Sequence, residues 1–125
     1  MSKKDKLRIL DYLTHILEAI QRINHYTDDV DELTFFSNTL IQDGVIRNFE
    51  IIGEASRNIE RHHPEFSQIY PELPLGIAYE MRNALAHGYF KVDLTIIWKT
   101  IEKDLPELEQ KIQEVYKQIE HKQVK

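Results

Sequence analysis

The stretch NTLIQDGVIRNFEIIGEASRNIERHH (residues 38–63) decides the fold. Leu40, Ile41, Val45, Ile46, Phe49, Ile52, Ala55 and Ile59 recur along it at spacings of three and four, which lays one apolar stripe down an α-helix. The helix is expected to start at Asn38 or Thr39 and to run to about His62. His63-Pro64 ends it, because the residue before a proline avoids helical angles. Gly44 and Gly53 lie inside it. Each costs about 1 kcal/mol relative to alanine in a helix, so close packing is the expected reason for them. The polar positions include Arg47, Glu54, Arg57 and Arg61. Arg47, Glu54 and Arg61 are seven apart and fall near one line.

Outward from this helix the same periodicity repeats. Towards the N-terminus, residues 7–26 carry Leu10, Leu13, Ile16, Leu17, Ile20 and Ile23 on one face, and Tyr26-Thr27-Asp28-Asp29 reads as the exit. Residues 31–36 are ambiguous between a helical turn and a loop with two aromatics to bury. Towards the C-terminus, residues 64–74 read as a linker with three prolines. A further helix starts at Pro74, carries Leu75, Ile77, Ala78, Met81 and Leu85, and stops at Gly88. Asp93 then serves as an N-cap for Leu94, Ile97, Trp98, Ile101 and Leu105, with Trp98 in the core. Asp104-Leu105-Pro106-Glu107 reads as a second helix start, a capping box with proline in the first turn. Leu108, Ile112, Val115 and Ile119 continue the spacing. No stretch alternates like a strand. The expected fold is all-α, an up-and-down bundle of four to five helices, forming one domain over residues 1–125 with ends at 1–6 and 120–125 that fray.

Composition bounds the function. The chain has 125 residues, 30 % charged and 42 % hydrophobic, with a formal net charge of −5 and no cysteine. Disulfides and thiolate metal sites are therefore absent. The acidic balance argues against a general nucleic-acid coat, which needs many phosphate contacts from Lys and Arg. A protein of this charge that acts on RNA needs a local basic patch or a partner. No apolar run is long enough to cross a bilayer. The start, MSKKDKLRILDYLTH, is broken by Asp11, Thr14 and His15 before a signal-peptide core forms. The expected location is the cytoplasm, with no membrane association.

The chemistry concentrates in MRNALAHGYFKVD (residues 81–93). Arg82 is a permanent cation whose planar fork suits phosphate. His87 can give or take a proton near neutral pH, and Tyr89 adds a hydroxyl and a ring. On an unbroken helix Arg82 and His87 lie about 140° apart. With Gly88 as the stop, His87 stands in the last turn, where the helix dipole favours its cationic form. Asn83, four residues before His87, shares its face and can orient the ring. Metal-free RNA cleavage needs the ribose 2′-OH deprotonated, the phosphate stabilised and the leaving oxygen protonated. Arg82 suits the second task and His87 either proton task. One copy supplies a single imidazole from this motif, and a symmetric dimer supplies two. The plainer alternatives are a surface Arg and His near a helix end, packing roles for Tyr89 and Phe90, a capping role for Asp93, and an ordinary salt-bridged face for Arg47, Glu54 and Arg57. His62-His63 is a poor metal pair, since adjacent residues point apart on a helix and no third ligand has a recognisable spacing.

The Arg82-to-Tyr89 pattern resembles the Arg-x-x-x-x-His-x-Tyr motif of HEPN domains, in particular the HepT-like toxins. DGVIRNFEIIGEA (43–55), Met81-Arg82-Asn83, Tyr89-Phe90-Lys91-Val92-Asp93 and Trp98 agree with that group, so the resemblance covers residues from about 7 to 119. It implies an all-α homodimer with the motif lining a cleft at the dimer interface. It also implies a metal-independent endoribonuclease, the toxin of a type VII-like toxin–antitoxin system, acting on tRNA or mRNA without a cofactor. Carried over by position, Arg82 and His87 are catalytic and Tyr89 is the motif tyrosine. Asn83, Glu54, Arg47 and Asp93 are supporting residues, and no residue binds metal. The partner implied is an MNT-type nucleotidyltransferase antitoxin that attaches AMP to Tyr89. Phosphates placed there would occupy the position of the RNA phosphate and add repelling charge. The sequence departs from the family where Leu75 and Gly76 follow Pro74, in place of the usual Trp. The alternative is a non-catalytic helical module that binds nucleotide or partner and scaffolds a nucleotidyltransferase.

Overall fold

The computed structural model describes residues 2–73, 75 and 93–121. Over these residues the fold is all-α, with no strand among them. Helix α1 spans Lys3–Thr27, α2 Glu32–Ser37, α3 Thr39–His62 and α4 Glu65–Ile69. After the undescribed segment comes α5, Leu94–Lys99. It runs through a π-helical turn, Thr100–Asp104, into α6, Leu105–His121.

The caps explain the boundaries. The Ser2 hydroxyl accepts from the Asp5 N–H at 3.1 Å and starts α1 four residues earlier than the apolar pattern alone suggests. Residues 3–6, expected to fray, form its first turn. The Lys6 ammonium donates to the Glu120 carbonyl at 3.2 Å, which ties the start of α1 to the end of α6. Asp29 takes a left-handed φ of 58° just after α1, a conformation that Asp tolerates better than most residues.

The ambiguous stretch at 31–36 is a helix. Asp31 accepts from the Thr34 N–H at 2.8 Å, and these bonds with Thr34 hold its carboxyl below the usual range. The carbonyls at the end of α2 are taken up by the Gln42 side chain, which donates to Phe35 at 2.8 Å and to Phe36 at 3.1 Å. Helix α3 has the expected bounds, with Asn38 as its cap, accepting from the Ile41 N–H at 3.0 Å. The proline-bearing linker is not wholly irregular, because α4 forms within it and buries Phe66.

The expected restart at Leu105-Pro106 is instead a continuous helix with a π turn. Pro106 has no N–H to offer Glu102, and its ring would strike that carbonyl. The Leu105 N–H bonds to Thr100, five residues back. This widening ahead of Pro106 lets the chain stay helical.

Helices α1 and α3 form the most extensive pair among the described residues. They are antiparallel. Tyr26 at the end of α1 lies against Gly44 near the start of α3, and the Tyr12 ring stands 6.4 Å from the His63 ring at the other end. Gly44 lies at a close approach of the two helices: a Cβ added to it would sit 3.1 Å from the Tyr26 ring. Ile9, Leu13, Ile16, Ile20 and Ile23 of α1 meet Val45, Phe49, Ile52 and Ile59 of α3 in one core, closed by Ile112, Val115 and Ile119 of α6. Trp98 is buried as expected, with its ring 5.2 Å from that of Phe35. The helix expected from Pro74 to Gly88 lies outside the described residues apart from Leu75, which is buried.

Candidate functional site

Arg82, Asn83, His87 and Tyr89 lie outside the described residues. Three of the proposed site residues are described, and they separate into two places. Asp93 is a cap: its carboxylate accepts from the Thr95 N–H at 3.0 Å and from the Ile96 N–H at 3.4 Å. This starts α5 directly after the motif segment. The plainer reading of Asp93 therefore holds, and its role is to fix where that helix begins.

Arg47 and Glu54 come together. Both line a groove of about 500 Å³ between α1 and α3, with Tyr12 and His15 from α1 and Glu50, Ile51, Ala55 and Asn58 from α3. Its α3 wall follows from helix geometry. Positions 47, 51, 54 and 58 step by four, three and four, and 50 and 55 lie three from members of that series, so they form a single stripe. The stripe covers about 16 Å from end to end. Its apolar members, Ile51 and Ala55, are half-buried and buried, and Glu54 and Arg47 are exposed. Arg47 pairs with Glu50 at 3.6 Å, with 71 % of its own side chain exposed. Arg61 is not in this lining, although it shares the seven-residue line with Arg47 and Glu54.

The antiparallel register orders the groove. Tyr12 lies at the end that also holds Asn58, near His63. Arg47 lies three turns away, at the end nearer Gly44. His15, one turn along from Tyr12, falls between them. The Tyr12 ring tilts at 57° to the buried His63 ring. His63 Nδ1 lies 3.7 Å from Asp5 and 4.0 Å from Glu65. Its Nε2 is buried with no hydrogen-bond partner among the described residues.

Sequence reasoning overlooked Tyr12, His15 and Asn58. The signal was present but faint. Tyr12 and His15 are three apart on the flank of the α1 stripe, and Asn58 continues the Arg47–Glu54 line by four. Only the pairing of α1 with α3 shows that these flanks face one another.

The groove thus brings an arginine, a histidine, two carboxylates, an amide and a tyrosine together along an apolar floor. Comparison with known families narrows the chemistry. The profile "Ribonuclease HepT-like" matches residues 16–115. The chain belongs to the HepT-like ribonuclease family. A Thermococcus cleftensis protein named "Probable ribonuclease HepT" is 40 % identical over 107 residues, covering 86 % of this chain and 94 % of the relative. A Methanocaldococcus jannaschii protein named "Putative RNase" is 36 % identical over 113 residues, covering 90 % and 98 %. Another from that organism, named "Gamma-glutamylcyclotransferase and putative RNase", is 41 % identical over 109 residues. This chain spans 48 % of that longer relative. No solved structure matches the chain. Family membership places this HepT-like chain among enzymes that act on RNA. No helix among the described residues is long and apolar enough to cross a membrane.

Proposed function

We propose that this HepT-like protein is a metal-independent endoribonuclease toxin that works as a homodimer in the cytoplasm. The observation that carries the reading is the family match over residues 16–115, which spans the Arg82–His87–Tyr89 motif as well as the α3 wall of the groove, Arg47 to Asn58. In the proposed reaction the 2′-oxygen of the ribose loses its proton and attacks the adjacent phosphorus. The bond from phosphorus to the 5′-oxygen breaks, and that oxygen takes up a proton. Arg82 stabilises charge on the phosphoryl oxygens, and His87 carries a proton. The second imidazole of a dimer completes the acid–base pair. Asn83 orients His87. An MNT-type nucleotidyltransferase silences the enzyme by attaching AMP to Tyr89, where the added phosphates fill the place of the substrate phosphate.

The test is incubation of the purified protein with total RNA and tRNA in the presence of chelator, beside His87→Ala. Cleavage that survives chelation and disappears with His87→Ala is the expected result, and the products identify the RNA. No cleavage by protein whose intact mass excludes an adduct on Tyr89 would overturn the enzyme reading in favour of a binding module. Mixing Arg82→Ala with His87→Ala protein tests the shared site. Activity above that of either variant alone is expected if the two copies complement each other.

A further inference from the structure

Away from the groove, the surface where α2 meets the start of α3 is apolar, and the chain around it is acidic. Leu33 and Leu40 are 79 % and 81 % exposed, and Phe36 is 37 % exposed. Leu33 and Phe36 are three apart on α2 and share one side of it. Phe35 between them turns inward onto the Trp98 ring, which leaves its two apolar neighbours in solvent. Leu40 follows across the turn at Asn38. Gln42 bonds back to the Phe35 and Phe36 carbonyls, so α2 and the start of α3 are held in one arrangement. Gly44 lies four residues on from Leu40, on the same side of α3, and the exposed Tyr26 ring packs against it. A single exposed leucine is ordinary, but leucines grouped with aromatic rings mark a surface that meets another molecule.

The charge around this patch selects its occupant. Residues 26–46 contain Asp28, Asp29, Asp31, Glu32 and Asp43 but no lysine or arginine. All five carboxylates are exposed, and none of them pairs with a cation among the described residues. Such a face repels RNA, whose phosphates bind where Lys and Arg gather. It also disfavours a second copy of the chain, because a two-fold contact sets the patch against itself and brings like charges together. We propose that this patch docks a protein partner that presents apolar side chains bordered by lysine and arginine. Leu33, Phe36 and Leu40 supply the buried contact, and the carboxylates steer the partner in and exclude acidic competitors. The proposal does not depend on the ribonuclease reading.

The probes are two amphipathic helical peptides of one pattern, one built from leucine and lysine and the other from leucine and glutamate. Each is titrated into the isotope-labelled full chain and followed by amide chemical shifts. The lysine peptide is expected to perturb Leu33, Phe36, Leu40 and Asp43, and to bind roughly tenfold tighter than the glutamate peptide at low salt. Leu33→Ser combined with Leu40→Ser is expected to weaken its binding about tenfold through lost apolar contact, with the melting temperature unchanged because both side chains are exposed. Glu32→Gln combined with Asp43→Asn is expected to flatten the salt dependence while the same residues still shift. Equal affinity for the two peptides, shifts confined to other residues, or no shift at all would overturn the proposal. Lysine-peptide binding that survives the double leucine variant would do the same, since charge alone would then explain it. So would shifts at the patch on raising the protein concentration alone, which would make the occupant a second copy, or on adding single-stranded RNA, which would make it nucleic acid. RNA cleavage by the double leucine variant is expected at the parent rate, so this proposal and the ribonuclease reading fail separately.

Discussion

The two faces of α3 follow different rules. The inner face buries Val45, Phe49, Ile52, Ser56 and Ile59 against α1 and the rest of the core. The groove face, rotated away on the same helix, carries Arg47, Glu50, Glu54 and Asn58. The inner face is constrained by volume, because each side chain there sits in a close-packed interior and a lost methylene leaves a cavity. The groove face is constrained by chemistry, because exposed polar groups add little to stability. What holds the helix in place and what that helix presents for binding are therefore separable by mutation.

The largest test of that separation is Ile52→Ala. Ile52 is 1 % exposed, and removing its branched side chain should cost about 3 kcal/mol. A fall of about 10 °C in the melting temperature, followed by circular dichroism, is expected for a chain of this size. A loss below about 1 kcal/mol would mean that the core collapses readily around the gap, and the claim of a volume-constrained face would fail.

Asn48 is the exception that sharpens the contrast. It is buried on the inner face, its amide nitrogen donates to the Gly44 carbonyl at 2.8 Å, and its Oδ1 has no partner among the described residues. An unpaired buried acceptor costs about 1–3 kcal/mol, and the single bond lost returns about 1. Asn48→Leu, close in volume, is therefore expected to raise stability by about 1 kcal/mol in urea unfolding. Destabilisation instead would show that Oδ1 is satisfied in solution.

Gly44 tests the close approach of α1 to α3 in the same way, with a smaller effect. Alanine improves helix propensity by about 1 kcal/mol, but its Cβ would lie 3.1 Å from the Tyr26 ring. Tyr26 is 38 % exposed at the end of α1, so its ring has room to shift. The expected net gain from Gly44→Ala is about 0.5 kcal/mol, and Gly44→Val should reverse it. A loss with alanine would mean that Tyr26 is held more firmly than its exposure suggests.

The helices and their caps were legible because they depend on local rules. The stripe from Leu40 to Ile59, Asn38 before it and His63-Pro64 after it specify α3 within a residue. Asp93 was equally legible as a cap. Residues 31–36 were not, because a helix of six residues has too few apolar positions to establish a period, and it is Asp31 and Gln42 that close its two ends. The π turn was missed because Pro106 reads as a start signal when seen alone. Its alternative, a widened turn, depends on the helix already running in from Asp93. Half of the groove was legible as the Arg47–Glu54 line. The other half, Tyr12 and His15, is twenty or more residues distant in sequence and joins it only through the antiparallel register set at Gly44 and Tyr26. The Arg82–His87–Tyr89 motif was legible from spacing and resemblance, and it falls outside the described residues.

Arg47 provides the converse of Ile52, with the smallest expected effect on stability and a direct one on function. Its side chain is 71 % exposed and its pair with Glu50 spans 3.6 Å. Exposed pairs of this kind contribute about 0.2–1 kcal/mol at most. Arg47→Ala should therefore leave the melting temperature within about 2 °C of the parent. If Arg47 draws the RNA backbone into the groove, the same substitution should lower kcat/KM for RNA cleavage roughly tenfold, the loss expected for one charge-assisted contact. Arg47→Lys should recover only part of it, because the ammonium keeps the charge but not the planar fork. A melting change as large as that of Ile52→Ala would make the groove face structural and remove the distinction between the two faces. Unchanged melting with unchanged cleavage would make Arg47 part of an ordinary solvated surface.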